Sequence, residues 1–250
     1  MQKKLSRFLL SFILYFIVLT ALFFSFGLNF GSKTKQAGVA SRVTVFEQSD
    51  SITVLLIITD NQKLAHTFMT IQLDAPAQKI TVTDIPKDKS IVYLNKTASL
   101  LSVYEYGSIK AVQNALEESE NIKTDRYVRI TDKAFVNIID ALDGVTVNVL
   151  QNINFSSEDF SLNIYKGNQH LMGSQLLLYI KYNEIHGLDT DKASILSSLI
   201  NQNISRVKRP SATLFTSLIN QADTNIGISD KDKYKPLLTE IANTADGYID

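Results

Sequence analysis

The chain contains no cysteine, which removes disulfides, thiolate metal sites and a cysteine nucleophile together. It also lacks a charge excess: 25 basic and 25 acidic residues balance over 250 positions, so no global field draws it to nucleic acid. Histidine is scarce, and His66, His170 and His186 are scattered without the i, i+4 pairing of a helical zinc motif. No Gly-rich phosphate loop, Gly-x-Ser-x-Gly elbow or His-Glu-x-x-His is present. Neither an internal repeat nor a low-complexity tract appears.

Charge is missing altogether from residues 8–32, "FLLSFILYFIVLTALFFSFGLNFGS". A bilayer core about 30 Å thick needs roughly 20 apolar residues in helix, so this run is long enough to span it. A cleaved signal peptide is the rival reading, but its apolar core would run to only about 7–15 residues. The reading adopted is an uncleaved anchor. It gives a cytoplasmic tail over 1–7, a transmembrane helix over 8–32, a polar linker over 33–50 and a domain over 51–250. Lys3, Lys4 and Arg7 precede the span while Lys33, Lys35 and Arg42 follow it, so the positive-inside bias only leans towards a cytoplasmic N-terminus. With that orientation the domain is extracytoplasmic and the protein sits in the cell membrane through a single pass.

Within the domain, "SITVLLIIT" (51–59) is a short β-branched apolar run, as a buried strand requires. "FMTIQLD" and "KITVTDIP" flank "APAQ" and read as a hairpin. The 108–122 segment sets Ile109, Val112 and Leu116 on one helical face, with Ser108 placed as an N-cap. "DRYVRIT" alternates like a strand. "DKAFVNIIDALDG" carries an apolar stripe that stops at Gly144, and "VTVNVL" is a further strand. The 151–170 stretch reads as a loop with a short hairpin. A helix follows from "GSQLLLYI" to near Asn183, then another over 191–209, closed before Pro210, and amphipathic segments over 212–221 and 234–245. Strands alternating with helices predict an α/β layered fold.

Three stretches place polar groups at element ends, where sites on layered folds lie. Asp60 directly follows the buried run; it can hold Mg²⁺ through oxygen or serve as the turn residue of "TDNQ". In "DIPKD", Lys87 and Asp88 follow a proline, either as a phosphate-facing loop or as an exposed charged turn. In "YIKYNEIHGLDTDK" (179–192), Lys181 and Asn183 would converge only if the helix ends there, since i, i+2 residues diverge by about 200° on a helix. Asp189 and Lys192, at i, i+3, would be neighbours on the next helix.

In order, the blocks "LLIITD", "AHTFMTI", "DIPKD", "SLLSVYEYGS", "LDGVTV" and "LMGSQLLLYIKYNEIHGLDTDKASIL" resemble the LytR–CpsA–Psr family of bacterial envelope proteins. The resemblance covers about residues 51–245. It implies an α/β/α sandwich outside the membrane, with an apolar tunnel for a polyprenyl chain, arginines on its pyrophosphate and carboxylates on Mg²⁺. The activity it implies is transfer of a lipid-linked glycopolymer to peptidoglycan.

Residue by residue, the resemblance is incomplete. Asp60 matches the first metal carboxylate, and His66 stands where the second belongs. Asp88 and Asp189 match acidic positions and are candidate catalytic residues. Lys87, Lys181 and Lys192 stand at arginine positions and, with Asn183, are candidate pyrophosphate-binding residues. Ser99 replaces a lysine, while Ile195 and Leu196 replace an Arg-Gln pair. Every expected arginine is therefore absent. Lysine keeps the charge but loses the planar fork that grips phosphate bidentately, and losing a single transition-state contact can cost about 10²–10³ in rate.

Three functions follow as expectations. The first is binding of a polyprenyl (pyro)phosphate-linked glycopolymer without efficient transfer. The second is an active phosphotransferase with a lysine-based site and a weakened Mg²⁺ site. The third is a structural or regulatory envelope protein with a closed pocket. Nucleic acid is not an expected partner, because no basic reading helix is present.

Overall fold

The computed structural model describes residues 45–188, 191–203 and 222–244. The predicted transmembrane helix over 8–32, the linker up to residue 44, Asp189 and the 212–221 segment lie outside these residues. Among the described residues no helix is long and apolar enough to cross a membrane.

The centre is a five-stranded sheet. Strand β1 (Ile52–Thr59) pairs antiparallel with β2 (Ala65–Asp74), and β2 pairs antiparallel with β3 (Lys79–Ile85). Beyond them come the short strands β4 (Ser90–Tyr93) and β5 (Lys96–Ser99), which form a separate hairpin. Helices α1 (Leu100–Gly107) and α2 (Ile109–Glu120) follow, then β6 (Arg126–Thr131), which lies parallel to β1. Next are α3 (Asp132–Ala141), β7 (Val145–Val149), β8 (Ile153–Ser156), β9 (Ser161–Ile164) and β10 (Gly167–Leu171). Helices α4 (Gly173–Ile185) and α5 (Lys192–Asn203), strand β11 (Asp223–Thr224) and helix α6 (Ile228–Thr244) complete the described chain. The sheet order is β11-β6-β1-β2-β3.

Side chains alternate across the pleat, so β1 feeds two cores. Leu55 and Ile57 join Phe68, Leu100, Val112 and Leu116 beneath α1 and α2. Val54, Leu56 and Ile58 join Met69, Val128, Ile138, Leu176 and Leu199 in the opposite core, which α3 to α6 cover. That double burial is why "VLLII" has no polar alternation. The result is a mixed α/β domain with helices against both faces of the sheet, as expected.

Some local readings change. Residues 90–107 form a hairpin and a helix. Their start is fixed by Ser99, whose Oγ accepts the Ser102 N–H at 3.2 Å as the N-cap of α1. Ser108 precedes α2 as predicted, but its side chain makes no capping hydrogen bond, and its backbone lies at φ 94°, ψ 175°. Helix α4 runs two residues past Asn183, to Ile185. At the far side, Arg126 Nε donates to Asp230 Oδ2 at 2.9 Å and ties the start of β6 to α6.

Candidate functional site

The parallel pair β1 and β6 brings its two C-terminal ends together, and Thr59 is registered with Thr131 on one side and Ala65 on the other. The residues just past those partners, Asp132 and His66, therefore straddle the end of β1. Nε2 of His66 and Oδ1 of Asp132 are 2.8 Å apart, and Nζ of Lys181 donates to Asp132 Oδ2 at 3.0 Å. Burial pushes the Asp132 carboxyl up, yet the hydrogen bonds and charges of His66 and Lys181 outweigh it and hold the pKa below the ordinary range. An ionised carboxylate only accepts, so Nε2 carries the proton. Nδ1 of His66 lies 3.0 Å from Thr67 Oγ1, which locks the ring from its other side.

Lys192 opens α5 with its side chain only 14 % exposed, 3.4 Å from Glu184 Oε1 and 3.8 Å from Asp84 Oδ1. Two lysines are thus held by three carboxylates. Between the sheet and helices α3, α4 and α5 runs an apolar cavity of about 50 Å³. Its polar lining residues are His66, Thr67 and Lys192; the rest, including Ile58, Met69, Phe135, Ile195 and Leu196, are apolar. At this volume it is a narrow slot, far below the ~300–1,000 Å³ of ordinary ligand pockets, so an alkyl chain enters only as the walls part.

The candidates from the sequence divide into those at this mouth and those away from it. His66 and Lys192 line the cavity, and Lys181 is linked to His66 through their shared partner Asp132. Asn183 is 4 % exposed on the core-facing stripe of α4 with Leu176, Tyr179 and Ile180, while Lys181 sits two residues away on another face. The convergence of the pair required the helix to end there, and it does not. Lys87 and Asp88 are exposed; the loop is pinned through its backbone, with the Lys87 carbonyl accepting the Leu101 N–H at 2.8 Å. Asp60 takes the turn role: its Oδ1 accepts the N–H groups of Gln62 at 2.8 Å and Leu64 at 2.9 Å. Asp189 lies outside the described residues.

Asp132 and Glu184 are members of the site that sequence reasoning missed. Asp132 carried a signal, because it follows β6 just as Asp60 follows β1, and parallel strands gather such residues at one end.

The LytR_cpsA_psr family model matches residues 24–245. The chain belongs to this family. Among its curated relatives, the polyisoprenyl-teichoic acid–peptidoglycan teichoic acid transferase TagU of Bacillus licheniformis is 24 % identical over 165 residues, 62 % of this chain and 52 % of that protein. The chain thus spans about half the length of the curated relatives it matches. A crystal structure from Eubacterium siraeum superposes with a TM-score of 0.70 at 19 % identity, covering 87 % of this chain and 88 % of that one. TagT bound to LIIa-WTA gives 0.58 at 21 %, covering 80 % and 79 %. At such identities the structural likeness establishes the fold.

The magnesium that the family resemblance implies is poorly matched by the residues present. Mg²⁺ takes near-octahedral oxygen ligands. Here one expected carboxylate is the imidazole of His66, the other, Asp60, is occupied in its turn, and the nearby Asp132 already holds an ammonium and an imidazole. Among the described residues no group of three or more His, Asp or Glu is placed to hold a metal ion.

Proposed function

We propose that this chain is a membrane-anchored envelope protein whose extracytoplasmic domain binds a polyprenyl (pyro)phosphate-linked glycopolymer without efficient transfer. The observation that carries the reading is the apolar slot whose few polar lining residues include His66 and Lys192. A lipid chain suits its walls, and a phosphate suits the positive charge of Lys192 in its lining and of Lys181, which shares Asp132 with His66. The names of the relatives agree: TagU is described as acting on polyisoprenyl-teichoic acid and peptidoglycan, and TagT is seen bound to LIIa-WTA.

The same geometry supports the reading of weak transfer. Ile195 and Leu196, which stand at the family's Arg-Gln positions, both line the slot. Their substitution lengthens the apolar wall and removes phosphate donors. Glu184, Asp84 and Asp132 already neutralise Lys181 and Lys192, so an incoming phosphate competes with three carboxylates for two cations. In place of a magnesium ion, the Lys181 ammonium supplies the local positive charge.

The test is titration of the full chain in detergent micelles with polyprenyl phosphate and polyprenyl pyrophosphate, with phosphate release followed in parallel. Saturable binding without release is expected. Release at the rate of an active relative would select the lysine-based transferase instead, and absence of binding would leave the structural or regulatory role. Arginine at 181 and 192 is expected to tighten binding, and no change there would remove these lysines from the site.

A further inference from the structure

The slot holds only about 50 Å³, whereas an apolar cavity that takes one benzene is about 150 Å³. An isoprene unit is nearly as large as benzene, so a wall must move before a prenyl chain enters. Most of the walls are fixed. Strands β1 and β2 are each hydrogen-bonded on both sides within the sheet. Helices α3 and α4 meet backbone to backbone: the Gly173 N–H donates to Asp140 Oδ1 at 2.7 Å, and a Cβ on Gly173 would fall 2.3 Å from the Val136 carbonyl oxygen.

Helix α5 is held differently. The ties of Lys192 to Glu184 and Asp84, at 3.4 and 3.8 Å, exceed the ~2.7–2.9 Å of a close charge-assisted hydrogen bond. Ser197 Oγ on α5 is buried with no hydrogen-bond partner among the described residues, a cost that this position of the helix leaves unrelieved. Beside α5 lies a second space, a polar cleft of about 370 Å³. Thr146 and Asn148 of β7 and Asn168 of β10 form one side of it, and Asp191, Ser194 and Ser198 form the other.

The two spaces share one lining residue, Ile195. Around α5 their linings are displaced by a single position: Asp191, Ser194 and Ser198 each directly precede the slot-lining Lys192, Ile195 and Leu199. One residue is about 100° of helical turn, so the slot and the cleft touch adjoining faces of the same helix. A roll of α5 carries Ile195 out of the slot and into the cleft, which has room for a side chain. That exchange enlarges the apolar space while the sheet and the α3–α4 contact stay as they are.

We infer that α5 is the moving wall of the slot, and that Ile195 is the side chain that leaves it when a prenyl chain enters. The inference rests on the reading of the slot as a lipid site. The experiment titrates the full chain in micelles with polyprenyl phosphate and with geranylgeraniol, an uncharged prenyl probe. Ser198→Trp puts a ring into the cleft and blocks the roll, so both lipids are expected to bind about tenfold more weakly, as the open state becomes rarer. Ser198→Ala is expected to stay close to the parent. Since the chain has no cysteine, Ile195→Cys supplies a single thiol, and its labelling by maleimide is expected to quicken when geranylgeraniol is bound. This second readout stands even where Ser198→Trp fails to fold. Lipid binding that is unchanged in a folded Ser198→Trp, or labelling that is unchanged or slowed by the probe, would overturn the moving wall and leave the slot as a lipid site. Binding of neither lipid by the parent would overturn both readings together.

Discussion

His66 and Asp132 are 66 positions apart, yet they meet at 2.8 Å across the end of β1. The pairing depends on the parallel register of β1 and β6, and it places an imidazole against a carboxylate that also binds Lys181. Asp132→Asn removes the ionised acceptor and leaves the Lys181 ammonium and the His66 ring nitrogen poorly matched. Because Lys181 is 40 % exposed, water screens part of the loss. The expected cost is about 1–3 kcal/mol in urea unfolding. The released Lys181 is expected to bind polyprenyl phosphate more tightly than in the parent, and an unchanged affinity would remove Asp132 as its competitor.

Acid sensitivity follows from the same carboxylate. In Asp132, burial raises the pKa, and the hydrogen bonds of His66 and Lys181 lower it further than burial lifts it. In Asp230 burial is likewise outweighed, by Arg126 and the Gly227 N–H. Both folded values lie below the unfolded one, about 3.9. Their contributions are therefore complete above that value and are lost as pH falls through the folded values. Melting temperature is expected to be flat in this respect from pH 7 to about 5 and to fall below about pH 4. The Asp132→Asn variant is expected to show a shallower acid limb, measurable by circular dichroism.

Metal dependence gives a third outcome. With an imidazole at one expected ligand position and Asp60 taken by its turn, polyprenyl phosphate binding is expected to be the same in EDTA and in millimolar Mg²⁺. His66→Asp supplies a hard oxygen ligand and is expected to make binding rise with Mg²⁺. A parent protein that loses binding in EDTA would refute the charge-substitution reading.

The fold was legible because its strongest signals are local. "VLLII" lacks alternation since both its faces are covered, and "DKAFVNIIDALDG" shows its stripe and its stop, with Gly144 at φ 76°. The site was legible only in part. Lys181 and Lys192 stand out in the polar 179–192 junction and again in the resemblance, but their partners Asp132 and Glu184 come from strand register and from the approach of two helices. Neither leaves a periodic mark in the sequence. Asn183 shows the converse: it was adjacent in sequence, and the two further residues of α4 keep it on the core face, away from Lys181. Asp60 carried two readings of equal chemistry, and only the N–H groups of Gln62 and Leu64 identify its turn role.

The α1–α2 joint carries the last prediction. Ser108, at φ 94° and ψ 175°, occupies a region that is essentially reserved for glycine and costs a residue with a Cβ about 1–3 kcal/mol. Ser108→Gly relieves that strain but gains conformational freedom in the unfolded chain, worth about 0.5–1 kcal/mol. The balance is a stabilisation of about 1 kcal/mol, seen as a rise of about 2–4 °C in melting temperature for a domain of this size. Its neighbour behaves oppositely. A Cβ on Gly107 would meet the Ala111 Cβ at 2.5 Å, and Ala111 is fixed in the first turn of α2, so the backbone must give way. Gly107→Ala is expected to cost about 1–3 kcal/mol. The two residues share one joint, so the double variant is expected to be non-additive. Calorimetric melting of the four proteins checks it, and a destabilised Ser108→Gly would mean that the serine is held there by a contact worth more than its strain.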